Sequence, residues 1–141
     1  SSPLPNDYGY VFAVLASAFV MNMYLMFKVV SARKKFGVEY PALYAPPGHK
    51  FELEFNSVQR AHQNTLEVLP LALILVCTCG LVYPKTSAAF GAIWVLGRFI
   101  YGYGYAKGGP KGRMFGGILS NLGMMPLFFT SLKIAYDLLS Q

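Results

Sequence analysis

The sequence predicts an all-α integral membrane protein, a four-transmembrane-helix up-down bundle. Two observations about composition indicate a membrane protein: the 141 residues are 55% hydrophobic, and only 13% are charged. Soluble domains carry about 25% charged residues, so this chain is depleted in charge. The third observation is four continuous apolar stretches, whose lack of alternation argues against a membrane β-barrel.

Each stretch is close to the roughly 20 residues that a helix needs to cross the hydrocarbon core. The first is followed, rather than preceded, by Lys28 and by the basic run at 33–35, so we expect a retained anchor and not a signal peptide. Polar residues interrupt the second and third stretches. The predicted helices cover approximately 9–30, 65–82, 87–105 and 114–139.

The connections predict the topology. A long proline-containing segment joins the first two helices, and tight turns are expected at 82–86 and at the glycine-rich 108–112. Short connections favour antiparallel neighbours. The positive-inside rule places the basic loops on the cytosolic side. The first and third connections carry Arg33, Lys34, Lys35, Lys50, Lys107, Lys111 and Arg113, whereas the second carries only Lys85.

Polar residues form stripes on two of the predicted helices. Arg60, Gln63, Asn64 and Glu67 follow the spacing i, i+3, i+4, i+7, which is one helix face, and His62 lies off it. A second stripe contains Arg98, Tyr101 and Tyr105. Ionisable groups within a membrane span are costly and usually face protein or a wet cavity. We therefore expect a charged pocket near the basic side.

Structural explanations exist for each residue taken singly. Arg60 and Glu67 could form an ion pair that fixes helix packing, Arg98 could pair with Glu67, and the tyrosines could belong to an interfacial aromatic belt. Two polar stripes on the same membrane side need more hydrogen-bonding groups than packing requires. Cys77 and Cys79 point to different helix faces, so we expect structural roles and no metal site.

The run Phe55–Glu67, with its RAHQNTLE core, resembles the signature of the membrane-associated proteins in eicosanoid and glutathione metabolism, the MAPEG family. Within the family, the run is most similar to the microsomal glutathione S-transferases of the third type. Two further segments support the same resemblance: SARKKF, which closes the first helix, and RFIYGYGYA in the third helix. The resemblance covers nearly the whole chain, so we expect residues 1–141 to form a single MAPEG-like transmembrane domain.

The resemblance implies a homotrimer that binds glutathione between neighbouring subunits near the cytosolic face. It also implies a glutathione transferase, and often peroxidase, activity on lipophilic electrophiles or lipid hydroperoxides, with no metal. The endoplasmic reticulum and the mitochondrial outer membrane both fit the topology. Lys34 and Val68 differ from the leukotriene-forming relatives, which disfavours leukotriene formation.

The resemblance also assigns residues, and the chemistry of glutathione agrees with them. Arginines can bind its carboxylates, and Glu67 can receive its ammonium group. Arg113 is the expected catalytic residue, which would stabilise the thiolate, and Lys111 is the alternative. The residues expected to bind glutathione are Arg33, Arg60, His62, Asn64, Glu67, Arg98, Tyr101 and Tyr105.

Two other functions are compatible with parts of the sequence. A non-catalytic accessory or scaffold subunit of a larger membrane complex could retain the same fold and the same binding residues. A small transporter has less support, because the sequence shows no paired inverted repeat and no clearly broken helix. Nucleic acid is not an expected partner, because a net charge of +6 in so apolar a chain suits a membrane surface better.

Overall fold

The computed structural model describes residues 2–141, which form four long helices. The first is preceded by a single 3-10 turn at Asn6–Tyr8. The number and order of the helices agree with the sequence prediction. Their bounds are α1 Gly9–Phe36, α2 Glu52–Gly80, α3 Pro84–Gly112 and α4 Met114–Leu139.

Helix α2 begins much earlier than predicted, at Glu52 and not near Thr65. Hydropathy underestimates this helix because its first turns are polar and lie before the apolar run. Glu52 and Glu54 occupy the first turn, where negative charge interacts favourably with the helix dipole. The connection between α1 and α2 is correspondingly shorter than the sequence suggested, covering 37–51.

Helix α1 also extends beyond its apolar run and ends at Phe36. Gly37 follows in the left-handed conformation, with φ 69°, and its N–H donates to the carbonyl of Arg33 at 2.9 Å. This is a common way for a helix to end. The basic residues of the last turn complement the negative end of the helix dipole.

Helix α3 contains the glycine-rich segment that was expected to be a turn. Gly109 has φ 64° and ψ −156°, which interrupts the helix, and helical structure then resumes as far as Gly112. A positive φ is readily available to glycine, and Pro110 can begin a helical turn because its missing N–H is not needed there. The predicted change of direction is therefore a break within α3, and Arg113 alone separates α3 from α4.

Contacts between the helices establish an antiparallel order. The hydroxyl of Tyr8 donates to the carbonyl of Cys77 at 2.9 Å, and Asn22 meets His62 at 3.1 Å. The beginning of α1 thus lies beside the end of α2, as in the predicted up-down arrangement. We call the end of the bundle where α1 and α3 finish the basic end.

Helices α3 and α4 pack closely through small residues. A Cβ atom at Gly97 would overlap the backbone of Ser120, and one at Gly116 would overlap the backbone of Tyr101. Small residues at such positions let two backbones approach, which is a common basis for helix association in membranes. This contact fixes the beginning of α4 against the second half of α3.

Three helical segments are long and apolar enough to cross a membrane: Asn6–Phe36, Glu52–Gly80 and Met114–Leu139. Helix α3, which is broken at Gly109, is not one of these three segments. Short connections tie it to α2 and α4, so the predicted up-down topology has it return across the membrane between them. Large apolar side chains face outward from the bundle, including Phe19 and Phe129, as expected for surfaces in contact with lipid or protein.

Candidate functional site

The polar stripe of α2 forms a hydrogen-bonded group on one helix face. Arg60 donates from Nη1 to Glu67 Oε1 at 2.6 Å and from Nη2 to Oε2 at 3.2 Å. Asn64 Nδ2 approaches the same carboxylate at 3.4 Å. Both members of the ion pair belong to α2, so the pair does not join two helices. The explanation by helix packing therefore finds no support within one protomer.

Arg98 of α3 extends this group across to a second helix. Its Nη1 donates to Asn64 Oδ1 at 2.7 Å and lies 3.5 Å from Thr65 Oγ1. The guanidinium carbon lies 4.7 Å from the ring centroid of Tyr101. The residue is only 6% exposed, and its Nε atom has no hydrogen-bond partner among residues 2–141. Arg98 is thus a buried cation with spare donor capacity.

A cleft of about 300 Å³ opens between α2, α3 and α4 beside these residues. Within the part of the chain that the structure describes, no carboxylate forms an ion pair with either arginine of this cleft. Two guanidinium groups at one small cleft favour an anionic ligand, which they can bind with paired hydrogen bonds. The lining residues are Asn64, Arg98, Tyr101, Arg113, Met114, Gly117, Ile118 and Asn121.

Arg113 reaches the cleft because it joins α3 to α4. Its guanidinium carbon lies 5.7 Å from the ring centroid of Tyr105, and that ring meets Tyr101 edge-on at 5.6 Å. Arg113 is exposed, whereas both tyrosines are buried. The tyrosines therefore form a fixed wall, and the arginine beside them is free to adjust to a ligand.

Lys111, the alternative to Arg113, lines a different cleft. That cleft has a volume of about 440 Å³ and contains Glu54 and Ser57 of α2, together with Lys107 of α3. The break at Gly109 directs this part of the chain toward the beginning of α2. Lys111 and Arg113 thus lie in separate surroundings, although only one residue separates them in sequence.

Two of the predicted binding residues lie apart from the cleft within one protomer. Arg33 donates from Nη1 to the carbonyls of Val38 and Ala42, at 3.3 and 2.8 Å, and so holds the loop that follows α1. His62 meets Asn22 of α1 through its Nε2 atom. The structure brings Asn64, Arg98, Tyr101 and Arg113 together, with Arg60, Glu67 and Tyr105 beside them.

Sequence reasoning missed the contribution of α4. Asn121 lines the cleft and also a neighbouring apolar groove, and no residue of α4 was proposed for the site. The available signal was an asparagine within the first half of a mostly apolar span, where polar groups are expensive and often functional.

The cysteines lie away from the cleft. Cys77 is half-buried, Cys79 is buried, and both thiols are free. The Cys79 Sγ lies 3.5 Å from the carbonyl of Leu127 on α4. Among residues 2–141, no three His, Cys, Asp or Glu side chains converge as a metal site would require.

These features define a polytopic helical membrane protein with a cationic cleft opening between three helices near its basic end. The chain belongs to the MAPEG family, whose sequence model matches residues 11–133. Membership confirms the family prediction and the all-α membrane bundle that it implied. The finer resemblance to the third type of microsomal glutathione S-transferase stays a prediction.

Similar proteins include an uncharacterized protein of Synechocystis sp., 35% identical over 115 residues, or 81% of this chain and 79% of that protein. Microsomal glutathione S-transferase 2 of Mus musculus is 30% identical over 125 residues, or 88% of this chain and 80% of its own. Leukotriene C4 synthase of Bos taurus is 32% identical over 100 residues, which is 67% of this chain and 63% of that protein.

Proposed function

We propose that this protein is a membrane-bound glutathione transferase that activates the glutathione thiolate to attack lipophilic electrophiles or lipid hydroperoxides. One observation carries the proposal: Arg98 and Arg113 line a single cleft, and no carboxylate of residues 2–141 pairs with either. The names of two similar proteins, a glutathione S-transferase and leukotriene C4 synthase, support the same class of reaction.

Glutathione fits the polar group around the cleft. It carries two carboxylates, one ammonium group and one thiol, so it needs cations, one anion and amide partners. Arg60 and Arg98 supply charge for carboxylates, and the free Nε of Arg98 is an unused donor. The Glu67 carboxylate has enough acceptor positions to receive the ammonium group while it keeps Arg60. Asn64 would hydrogen-bond the peptide part.

Arg113 is the proposed catalytic residue. A free thiol is mostly protonated at neutral pH, and only the thiolate is a strong nucleophile. A guanidinium group beside the sulfur favours the charged form and remains protonated itself. A hundredfold larger acid dissociation constant of the thiol corresponds to about 2.7 kcal/mol of thiolate stabilisation, within the range expected for a close charge pair in a partly dry site.

The electrophile would enter from the bilayer. An apolar groove of about 390 Å³ runs along α4 and shares Ile118 and Asn121 with the cleft. A lipophilic substrate in this groove would reach the thiolate without crossing water. The same route would serve a lipid hydroperoxide, whose reduction is the proposed peroxidase activity.

We further propose that the enzyme is a homotrimer whose neighbouring subunits complete the site. The Glu67 side chain is 55% exposed in one protomer, although it belongs to a membrane span. A second copy covering this face would remove the cost of a charge facing lipid. Arg33 and His62 would then meet glutathione from the adjacent subunit. Light scattering in detergent is expected to give the mass of three chains, and a monomer would contradict the assembly.

The loop charges support one orientation in the membrane and are compatible with two organelles. We place the basic end in the cytosol, where glutathione is available, in the endoplasmic reticulum or the mitochondrial outer membrane. Protease protection of tags on the two ends of the bundle, in vesicles of known sidedness, tests the orientation. Digestion of a tag in the α1–α2 loop by protease on the non-cytosolic side would contradict the proposed orientation.

Glutathione titration of the detergent-purified protein, read by ultraviolet thiolate absorbance, tests the proposed activity. We expect a saturable thiolate signal at neutral pH that Arg113→Ala reduces by roughly twentyfold and Lys111→Ala leaves nearly unchanged. The lysine is a matched control because it is a basic residue of the same segment that lines another cleft. Equal loss in both variants would contradict the role of Arg113. Absence of any glutathione binding would favour the accessory-subunit alternative.

A further inference from the structure

Asn121 occupies the junction between the two cavities of the proposed site. It lines the arginine cleft together with Arg98 and Arg113, and it also lines the apolar groove along α4. It lies eight residues after Arg113, which corresponds to about 12 Å along the helix axis. Side chains on a helix lean toward its N-terminus, so the amide of Asn121 leans back toward the cleft.

The surroundings of Asn121 give its amide nothing to bind. Its side chain is exposed, and no hydrogen-bond partner for it is found within residues 2–141. The other residues of the groove are apolar, so at this junction an amide without a partner is costly. The apolar lining consists of Ile118, Leu122, Met125, Pro126 and Phe129.

Within one protomer the groove is an open apolar face of α4, long enough for an extended chain to lie along it. From Ile118 to Phe129 it follows one face of α4 for about 16 Å, away from the cleft and into the membrane. A ligand that satisfies both cavities must be an amphiphile with a polar group at Asn121 and an apolar chain beyond it. The continuity of the groove with the arginine cleft makes the electrophilic substrate, and not a bystander lipid, the occupant that fits.

We propose that Asn121 contacts the substrate and donates a hydrogen bond from Nδ2 to the oxygen of a lipophilic electrophile whose chain lies in the α4 groove. This inference rests on the proposed transferase function and adds a residue that determines specificity. The enzyme would favour electrophiles in which negative charge develops on oxygen, because the donor interacts more strongly with that oxygen in the transition state than in the ground state.

A terminal epoxide illustrates the step. The thiolate sulfur forms a bond to the epoxide carbon, the bond from that carbon to oxygen breaks, and its electron pair remains on the oxygen. The alkoxide accepts the hydrogen bond from Asn121 and takes a proton from water, which recovers the proton lost when the thiol ionised. With an iodoalkane the leaving group is iodide, and no oxygen develops charge.

The test compares a terminal epoxide with an iodoalkane of the same straight carbon chain, using the full chain in detergent with saturating glutathione. Asn121→Leu should lower the epoxide-to-iodoalkane ratio of kcat/KM roughly tenfold, mostly through kcat, because one neutral donor is lost. Asn121→Ala should lower the ratio by a similar factor. It controls for any effect of the shape of leucine, because alanine removes the amide without adding bulk. Asn121→Gln should restore part of the ratio.

Leu122→Ala is the matched control, because Leu122 lines the groove but not the cleft. It should weaken turnover of both substrates by a similar factor and leave their ratio unchanged. A ratio that stays at the wild-type value in both Asn121→Leu and Asn121→Ala would overturn the role of Asn121 while leaving the transferase function standing. A wild-type protein that forms no thiolate and conjugates neither substrate would overturn the function itself, and this inference with it.

Discussion

Helices α2 and α3 are joined by polar contacts in two places, and the two places differ. Near the end opposite the basic end, the Ser87 hydroxyl donates to the carbonyl of Val76 at 2.6 Å, and Ser87 is completely buried. Nearer the basic end, Arg98 donates to Asn64 at 2.7 Å. The first contact satisfies its groups, whereas the second leaves Nε of Arg98 without a partner among the described residues.

The difference separates stability from binding. Near Ser87 the inner faces of the helices are closely packed, since a Cβ atom on Gly91 would approach Val76 and Val14 within 3 Å, and a groove of about 510 Å³ opens on the outer side, between α1 and α3. We call this part the packed region. Around Arg98 the cleft remains open, and the residues Arg60, Asn64, Glu67, Arg98 and Arg113 form the open region. Substitutions in the packed region should change the free energy of unfolding, and those in the open region should change ligand affinity.

The largest effect on stability is expected from Leu127→Ala. Leu127 is completely buried, and its backbone carbonyl receives the Cys79 thiol of α2. Truncation leaves a cavity and should lower the free energy of unfolding by about 2–3 kcal/mol. Leu122→Ala is the control on the same helix, because Leu122 is 60% exposed. Unfolding by denaturing detergent measures both, and equal losses would show that burial does not distinguish them.

Arg98→Met, in contrast to Leu127→Ala, should weaken ligand binding without lowering stability. Methionine fills similar volume without a buried charge, so stability should be unchanged or higher. Loss of charged hydrogen bonds should weaken glutathione binding by about 2 kcal/mol, roughly thirtyfold in Kd. Arg98→Lys keeps the charge but not the planar guanidinium group, so its glutathione affinity should lie between those of the wild-type protein and Arg98→Met. Calorimetric titration measures the affinity, and a large loss of stability with intact binding would assign Arg98 to the packed region.

Composition and hydropathy predicted the fold well, because burial in lipid makes apolar runs conspicuous. They failed at the beginning of α2, where thirteen helical residues precede Thr65, because polar residues in a helix outside the hydrocarbon give no hydropathy signal. The turn predicted at 108–112 corresponds to the break at Gly109, although helical structure resumes as far as Gly112. A positive φ at one glycine cannot be read from composition.

For the site, helical spacing predicted that Arg60, Asn64 and Glu67 share a face, and the structure places them in contact. Spacing could not show which helices meet at the cleft. The contact of Arg98 with Asn64 depends on the register of α2 against α3, and the contribution of Asn121 depends on how closely α4 approaches through its glycines. Register and close approach depend on packing between helices, so the sequence pattern of a single helix does not predict them.

A smaller effect is expected from Ser87→Ala in the packed region. The substitution removes one buried hydrogen bond between the two helices, from the Ser87 hydroxyl to the Val76 carbonyl. The free energy of unfolding should fall by about 1 kcal/mol, with glutathione affinity unchanged. Ser17→Ala is the control, since the Ser17 hydroxyl bonds a carbonyl of its own helix at 2.7 Å and joins no helices. A loss of affinity in Ser87→Ala would show that the two regions are coupled.

The smallest effect is expected from Asp137→Asn. The Lys133–Asp137 ion pair has the same 2.6 Å separation as Arg60–Glu67, and both pairs are largely exposed. Exposed pairs within one helix contribute little to stability, so Asp137→Asn should not shift the unfolding transition measurably. Only Glu67→Gln should weaken glutathione binding, because only that carboxylate adjoins the cleft and can receive the ammonium group. If Asp137→Asn weakened binding equally, the loss would reflect the net charge of the chain, and the position of Glu67 beside the cleft would carry no special role.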